Sequence, residues 1–82
     1  MAKMPKLPFA TPEEIREFRK KRSMNQSEFW SRVGVTQSGG SRYESGRNVP
    51  TPVRILLAVA YAPDGQSAKT VEALRSWKAP AP

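Results

Sequence analysis

The 82-residue chain contains no cysteine and no histidine. It therefore has no disulfide, no thiolate nucleophile, no imidazole base and no imidazole metal ligand, and packing alone must hold the fold. Long apolar runs are missing as well. No segment approaches the ~20 apolar residues of a membrane span, and M-A-K-M-P-K-L-P-F-A lacks the unbroken apolar stretch of a signal peptide. These two absences predict a cytoplasmic protein with no membrane partner. Strand patterning is also lacking, because the β-branched residues are scattered and nothing alternates with period two. No glycine-rich phosphate loop occurs either. We therefore expect neither an enzyme nor a cofactor.

What the chain does have is positive charge. Fourteen Lys and Arg against seven Asp and Glu give +7 and a sequence pI near 10.4. Such an excess favours a polyanionic partner, although it also serves solubility. Residues 1–22 hold seven of the bases against three acids, with Arg19-Lys20-Lys21-Arg22 unbroken. A basic run closing a helix also complements the dipole there.

The start and stop residues mark out an all-α chain of five helices. T-P-E-E offers Thr11 as a cap, Pro12 at the first helical position and Glu14 for a capping box. That helix runs to about Arg22, burying Ile15 and Phe18 and leaving Arg16, Glu17 and Lys20 to solvent. N-Q-S-E repeats the pattern, with Asn25 as cap and Glu28 three residues on, ahead of Phe29, Trp30 and Val33; this second helix stops at Gly34. Thr36 caps a third helix ending at Gly46. Thr51 and Pro52 start a fourth through V-R-I-L-L-A-V-A-Y-A, and after a P-D-G turn Ser67 caps a fifth through Val71, Leu74 and Trp77. In the fourth helix, Val53, Leu56, Leu57, Val59 and Ala60 are expected to fill the core, leaving Ile55, Ala58 and Tyr61 over. The organisation is thus a flexible arm (1–10), a helical domain (11–78) and a tail (79–82).

Two short helices joined by a tight glycine turn form a unit that can set its second helix into the DNA major groove while the first spans the backbone. Here the unit covers Gln26 to Ser45. Where such units usually have a small residue, a glycine and a branched aliphatic, this chain has Trp30, Gly34 and Gly40. We read this as a volume exchange, in which the Trp30 indole fills the space that a side chain at 40 would occupy. Glycines inside a helix cost about 1 kcal/mol each relative to Ala, so Gly39 also calls for an explanation. Either it faces outward and lets the backbone approach DNA, or the first turn is irregular.

M-N-Q-S-E-F-W-S-R-V-G-V-T-Q-S-G-G-S-R-Y-E-S-G-R resembles the phage repressor and Cro-like (lambda repressor-like, XRE-type) helix-turn-helix family, over roughly residues 11–62. The resemblance implies a compact five-helix lambda repressor-like bundle and a sequence-specific regulator of transcription, most simply a repressor. It also implies that Gln26 touches a phosphate and braces Gln37, and that Gln37 reads adenine. A Gln amide matches adenine N7 and N6 bidentately, and Ser38 and Arg42 lie on the same face. The candidate DNA-contacting residues are Gln26, Thr36, Gln37, Ser38, Gly39, Ser41, Arg42, Ser45 and Arg47, the last two as phosphate contacts. Arg19 and Glu44 are implied to pair internally, and Tyr43 to sit in the core.

Such domains usually pair on half-sites about one turn, ~34 Å, apart, so a homodimer on a palindromic double-stranded operator is expected. The surplus apolar residues of the fourth helix, or Trp77, are the candidate dimer face. The arm with Lys3 and Lys6 either follows a groove or is an idle tail. An antitoxin with a toxin partner, a restriction-modification controller and a protein-interaction adaptor are the alternative roles for this domain.

Overall fold

Thr11, Asn25 and Thr36 each sit one residue before a helix with a side-chain oxygen on a backbone N–H of its first turn. The computed structural model describes residues 6–78, and among these it contains five helices and no strand: α1 (Pro12–Lys21), α2 (Gln26–Ser31), α3 (Gln37–Glu44), α4 (Thr51–Tyr61) and α5 (Asp64–Arg75). Asn25 and Glu28 form the expected reciprocal box, at 2.8 and 3.3 Å. At α1 the box is extended. The Thr11 hydroxyl accepts from Glu14 at 3.2 Å, while the Glu14 carboxylate reaches back to the N–H groups of Phe9 at 2.8 Å and Ala10 at 3.1 Å.

The last two helices start differently from expectation. Pro50 and Pro63 occupy the cap positions and no side chain caps either helix; Thr51 lies inside α4 and Ser67 inside α5. The prolines' fixed φ, −59° and −53°, sets the chain's entry into each helix, and Asp64 in the first turn of α5 complements the dipole. No P-D-G turn forms, because Asp64 and Gly65 are already helical. The Ser67 hydroxyl donates instead to the Val59 carbonyl at 2.7 Å, tying α5 to α4. α5 ends at Arg75, so Trp77 lies beyond it.

The core is a chain of aromatic rings. Phe9 meets Phe18 edge-on at 5.1 Å, and Phe18 meets Tyr61 at 5.6 Å. Tyr61 stacks on Phe29 at 4.4 Å and 7°, Phe29 meets Trp30 at 5.2 Å, and Trp30 meets Tyr43 at 5.5 Å. Every aromatic residue except Trp77 takes part, and each such pair is worth roughly 0.5–1.5 kcal/mol beyond its buried area. Ile15, Val33 and Leu57 complete the buried set, with Phe18 and Tyr43 partly buried against it.

This cluster decides which face of α4 turns inward. Leu57, Ala58 and Tyr61 are buried, whereas Leu56 and Ala60 are exposed. The expected division of α4 is thus corrected at four positions, because Tyr61 is drawn in by its stack on Phe29 and by donating to the Phe29 carbonyl at 2.6 Å. Ala58 and Tyr61 are thereby removed from any surplus face. The same cluster corrects the arm. Phe9 is buried, and the carbonyls of Lys6 and Leu7 accept from Gln66 and Arg54, each at 3.5 Å. The described part of the arm is a strap on the domain, held by an aromatic ring that the core requires. Lys3 and the tail 79–82 lie outside the described residues. No described helix is long and apolar enough to cross a membrane.

Candidate nucleic-acid interface

Helix α3 has the sequence Q-S-G-G-S-R-Y-E, and the residues it buries are Gly40 and Glu44. With so little apolar surface of its own, α3 must be positioned by its neighbours, and it packs on α1 and α2. α2 and α3 are joined through Gly34, whose φ of +77° is left-handed and suits glycine, and Gly46 at +115° turns the chain out of α3.

Trp30 and Gly40 meet as the volume exchange requires. A Cβ added at Gly40 would fall on Cδ1 and Cγ of the Trp30 ring and 2.6 Å from its Nε1. The indole is fully buried, so it occupies the side-chain space of position 40. Gly39 is different. It is half-buried, and a Cβ there would point at Val35 Cγ1 (3.2 Å) and Thr36 Oγ1 (3.3 Å), back into the turn. Its expected outward orientation is therefore corrected: the missing side chain makes room for the Thr36 cap, whose hydroxyl accepts from the Gly39 N–H at 3.1 Å.

Glu44 is the polar anchor of α3. Its carboxylate accepts from Arg19 Nε at 3.0 Å and Nη2 at 2.8 Å, from Trp30 Nε1 at 2.7 Å and from Gln26 Nε2 at 3.4 Å. Arg16 donates to the Glu44 backbone carbonyl and is half-buried, not left to solvent as expected. Burial pushes the Glu44 carboxyl up, but the hydrogen bonds from Arg19, Trp30 and Gln26, with the Arg19 charge, outweigh it and hold the group below its ordinary value. The internal Arg19–Glu44 pair implied by the resemblance is thus present. The Trp30, Gln26 and Arg16 contacts to Glu44 are not apparent from helix patterning. A buried Trp, however, carries one N–H that must find an acceptor, and that requirement was available in the sequence.

Beside this anchor, Gln26 of α2 and Gln37, Ser38, Ser41 and Arg42 of α3 line one shallow depression. Gln37, Ser38 and Arg42 are exposed. The implied brace between Gln26 and Gln37 is not formed among the described hydrogen bonds; the Gln26 amide turns to Glu44, since a carboxylate is the stronger acceptor. A carboxylate only accepts, so the amide edge facing it is the NH2. Thr36 is exposed but its hydroxyl is engaged in the cap. Ser45 donates to the Ser41 carbonyl at 2.8 Å and Arg47 is exposed past Gly46; neither lines the depression. Among the described residues, neither Arg42 nor Arg47 pairs with a carboxylate. The depression thus presents amide, hydroxyl and guanidinium groups, a set that can donate to and accept from base edges and phosphates.

The family described as RsaL-like HTH domain matches residues 16–60, which run from within α1 to the last turn of α4 and include the whole depression. This carries the helix-turn-helix likeness without the finer likeness to phage repressors and Cro proteins. No curated protein and no solved structure matches the chain.

Proposed function

The chain belongs to the RsaL-like helix-turn-helix domain family, and on that premise we propose that it binds double-stranded DNA sequence-specifically and represses transcription. The observation that carries this reading is the depression on the outward side of α3, where Gln37, Ser38, Ser41 and Arg42 meet Gln26 on a chain of net charge +7. Gln37 reads adenine, Ser38 and Ser41 take neighbouring base edges, and Arg42 takes a guanine or a phosphate. Gln26, Ser45 and Arg47 position the protein on the sugar-phosphate chain, with Thr36 and Gly39 holding the start of the reading helix. The DNA-binding domain in this reading covers residues 11–78 together with the Phe9 strap.

Two copies meet a palindromic operator, each with α3 in one half-site. The exposed apolar residues Leu56, Leu74 and Trp77 supply a candidate contact between copies. The same three residues favour the second reading, a protein-interaction adaptor, of which an antitoxin held against a toxin is one form.

Selection of bound duplexes from a random library tests the reading. A preferred, two-fold symmetric sequence is expected, and Gln37→Ala should lose about 1–3 kcal/mol of discrimination at one base pair per half-site. Weak, unselective binding would favour the adaptor. An unchanged base preference in Gln37→Ala would overturn the assignment of that residue.

A further inference from the structure

The Trp30 side chain touches α3 at two points one helical turn apart. Its ring face fills the place of a side chain at Gly40, and its Nε1–H donates to Glu44 Oε2 at 2.7 Å. Residues 40 and 44 share one face of α3, so a single rigid indole spans a full turn of that helix. The steric contact sets how closely α3 approaches α2. With the Arg19 pair, the hydrogen bond sets the rotation of α3 about its axis, and of these donors the indole is the one that cannot follow a turn of the Glu44 carboxylate, being fully buried and packed on Phe29 and Tyr43. Rotation of α3 in turn decides where Gln37, Ser38, Ser41 and Arg42 point, since the same helix carries them.

We infer that Trp30, though buried and not among the residues lining the depression, is the positioning residue for base readout, acting on α3 through the Glu44 hydrogen bond. The inference rests on the reading of α3 as the base-reading helix. It separates two properties that a packing role alone would move together. Phosphate contacts tolerate small rotations of a helix, whereas bidentate hydrogen bonds to base edges do not. Loss of the indole N–H therefore relaxes sequence choice while leaving the attraction to DNA in general.

Trp30→Phe keeps an aromatic ring at this place and removes the N–H. Its affinity is measured beside that of wild type, at one salt concentration, on the duplex selected from a random library, on that duplex with one base pair changed, and on a random duplex. The expected result is random-duplex affinity within about twofold of wild type and a loss of about tenfold or more in discrimination between the selected and altered duplexes. Equal discrimination by the two proteins, or equal loss on all three duplexes, overturns the inference and leaves Trp30 a packing residue. A wild-type protein that selects no sequence overturns the base-reading role of α3 as well, so the two failures are distinguishable. If Trp30→Phe does not fold, the Trp30 indole N–H resonance of the wild-type protein gives the answer. A shift on adding the selected duplex and none on adding the random one supports the inference; the same shift with both overturns it.

Discussion

Gly40→Ala opposes two physical effects of different size. Helix propensity alone favours the substitution by about 1 kcal/mol, because glycine is costly in a helix interior. Against it, the new Cβ would lie 2.6 Å from Trp30 Nε1 and closer still to Cδ1 and Cγ, where ordinary carbon contacts are about 3.5–4.0 Å. The indole must move by about 1 Å or more, yet it is fully buried and bonded to Glu44 at 2.7 Å. Overpacking of this kind costs about 1–3 kcal/mol, and pulling the indole N–H from its acceptor costs about 1–3 kcal/mol more. Sterics win, and the net effect is a destabilisation of about 1–5 kcal/mol, centred near ~3 kcal/mol, which is roughly 12–24 °C in melting temperature for a domain of this size. Thermal and urea unfolding followed by circular dichroism measures it. Gly39→Ala is the internal control: its Cβ would meet Val35 and Thr36 at 3.2 and 3.3 Å, so a few tenths of an ångström suffice, the propensity gain offsets that strain, and the change should stay within about 1 kcal/mol of neutral. The exchange of volume is tested by pairing Gly40→Val with Trp30→Ala, which should be less destabilising together than the sum of the two. A stabilised Gly40→Ala, or an additive cycle, would refute the reasoning.

Three further outcomes are expected. Arg19→Met should cost about 3 kcal/mol in urea unfolding by leaving Glu44 without its counter-charge, whereas adding Glu44→Leu to it should recover part of the loss. Because the Glu44 carboxyl is depressed in the folded state, its stabilisation is complete above the ordinary glutamate value of about 4.3 and is lost as pH falls through the lower folded value; an acid titration should show this loss, reduced in Glu44→Gln. Phe9→Ala removes a buried ring that touches Phe18 and should cost about 3–5 kcal/mol, a large part of a small domain's stability; a loss below about 1 kcal/mol would mean that the strap is dispensable.

The first three helices were legible because their starts are written locally. Thr11, Asn25 and Thr36 act on N–H groups three residues away, and a cap of that span needs no knowledge of the rest of the fold. The paired charges and the exchange at Gly40 were also readable, the former through family likeness and the latter from a large residue opposite an absent one. The inward face of α4 was not. V-R-I-L-L-A-V-A-Y has apolar residues on nearly every side, and the choice among them is made by Phe29, a residue 32 positions from Tyr61. The Phe9 strap was hidden for a related reason: a segment with prolines reads as an arm until its partners Phe18, Gln66 and Arg54 are brought to it. In the depression, the residues were nameable from the helix face, but the turn of the Gln26 amide toward Glu44 depends on a carboxylate 18 positions away.

The buried and the exposed residues of α3 answer to different demands. Gly40 and Glu44 hold the helix against Trp30 and Arg19, whereas Gln37, Ser38 and Arg42 are exposed and contribute little to packing. Surface substitutions away from caps and core usually change stability by no more than about 0.5 kcal/mol. Mutations can therefore accumulate on the outward side without passing through unfolded intermediates in sequence space. A lineage built on this scaffold can drift toward new partners one residue at a time, and a designer can exchange the outward residues as a cassette while leaving Trp30, Gly40 and Glu44 untouched.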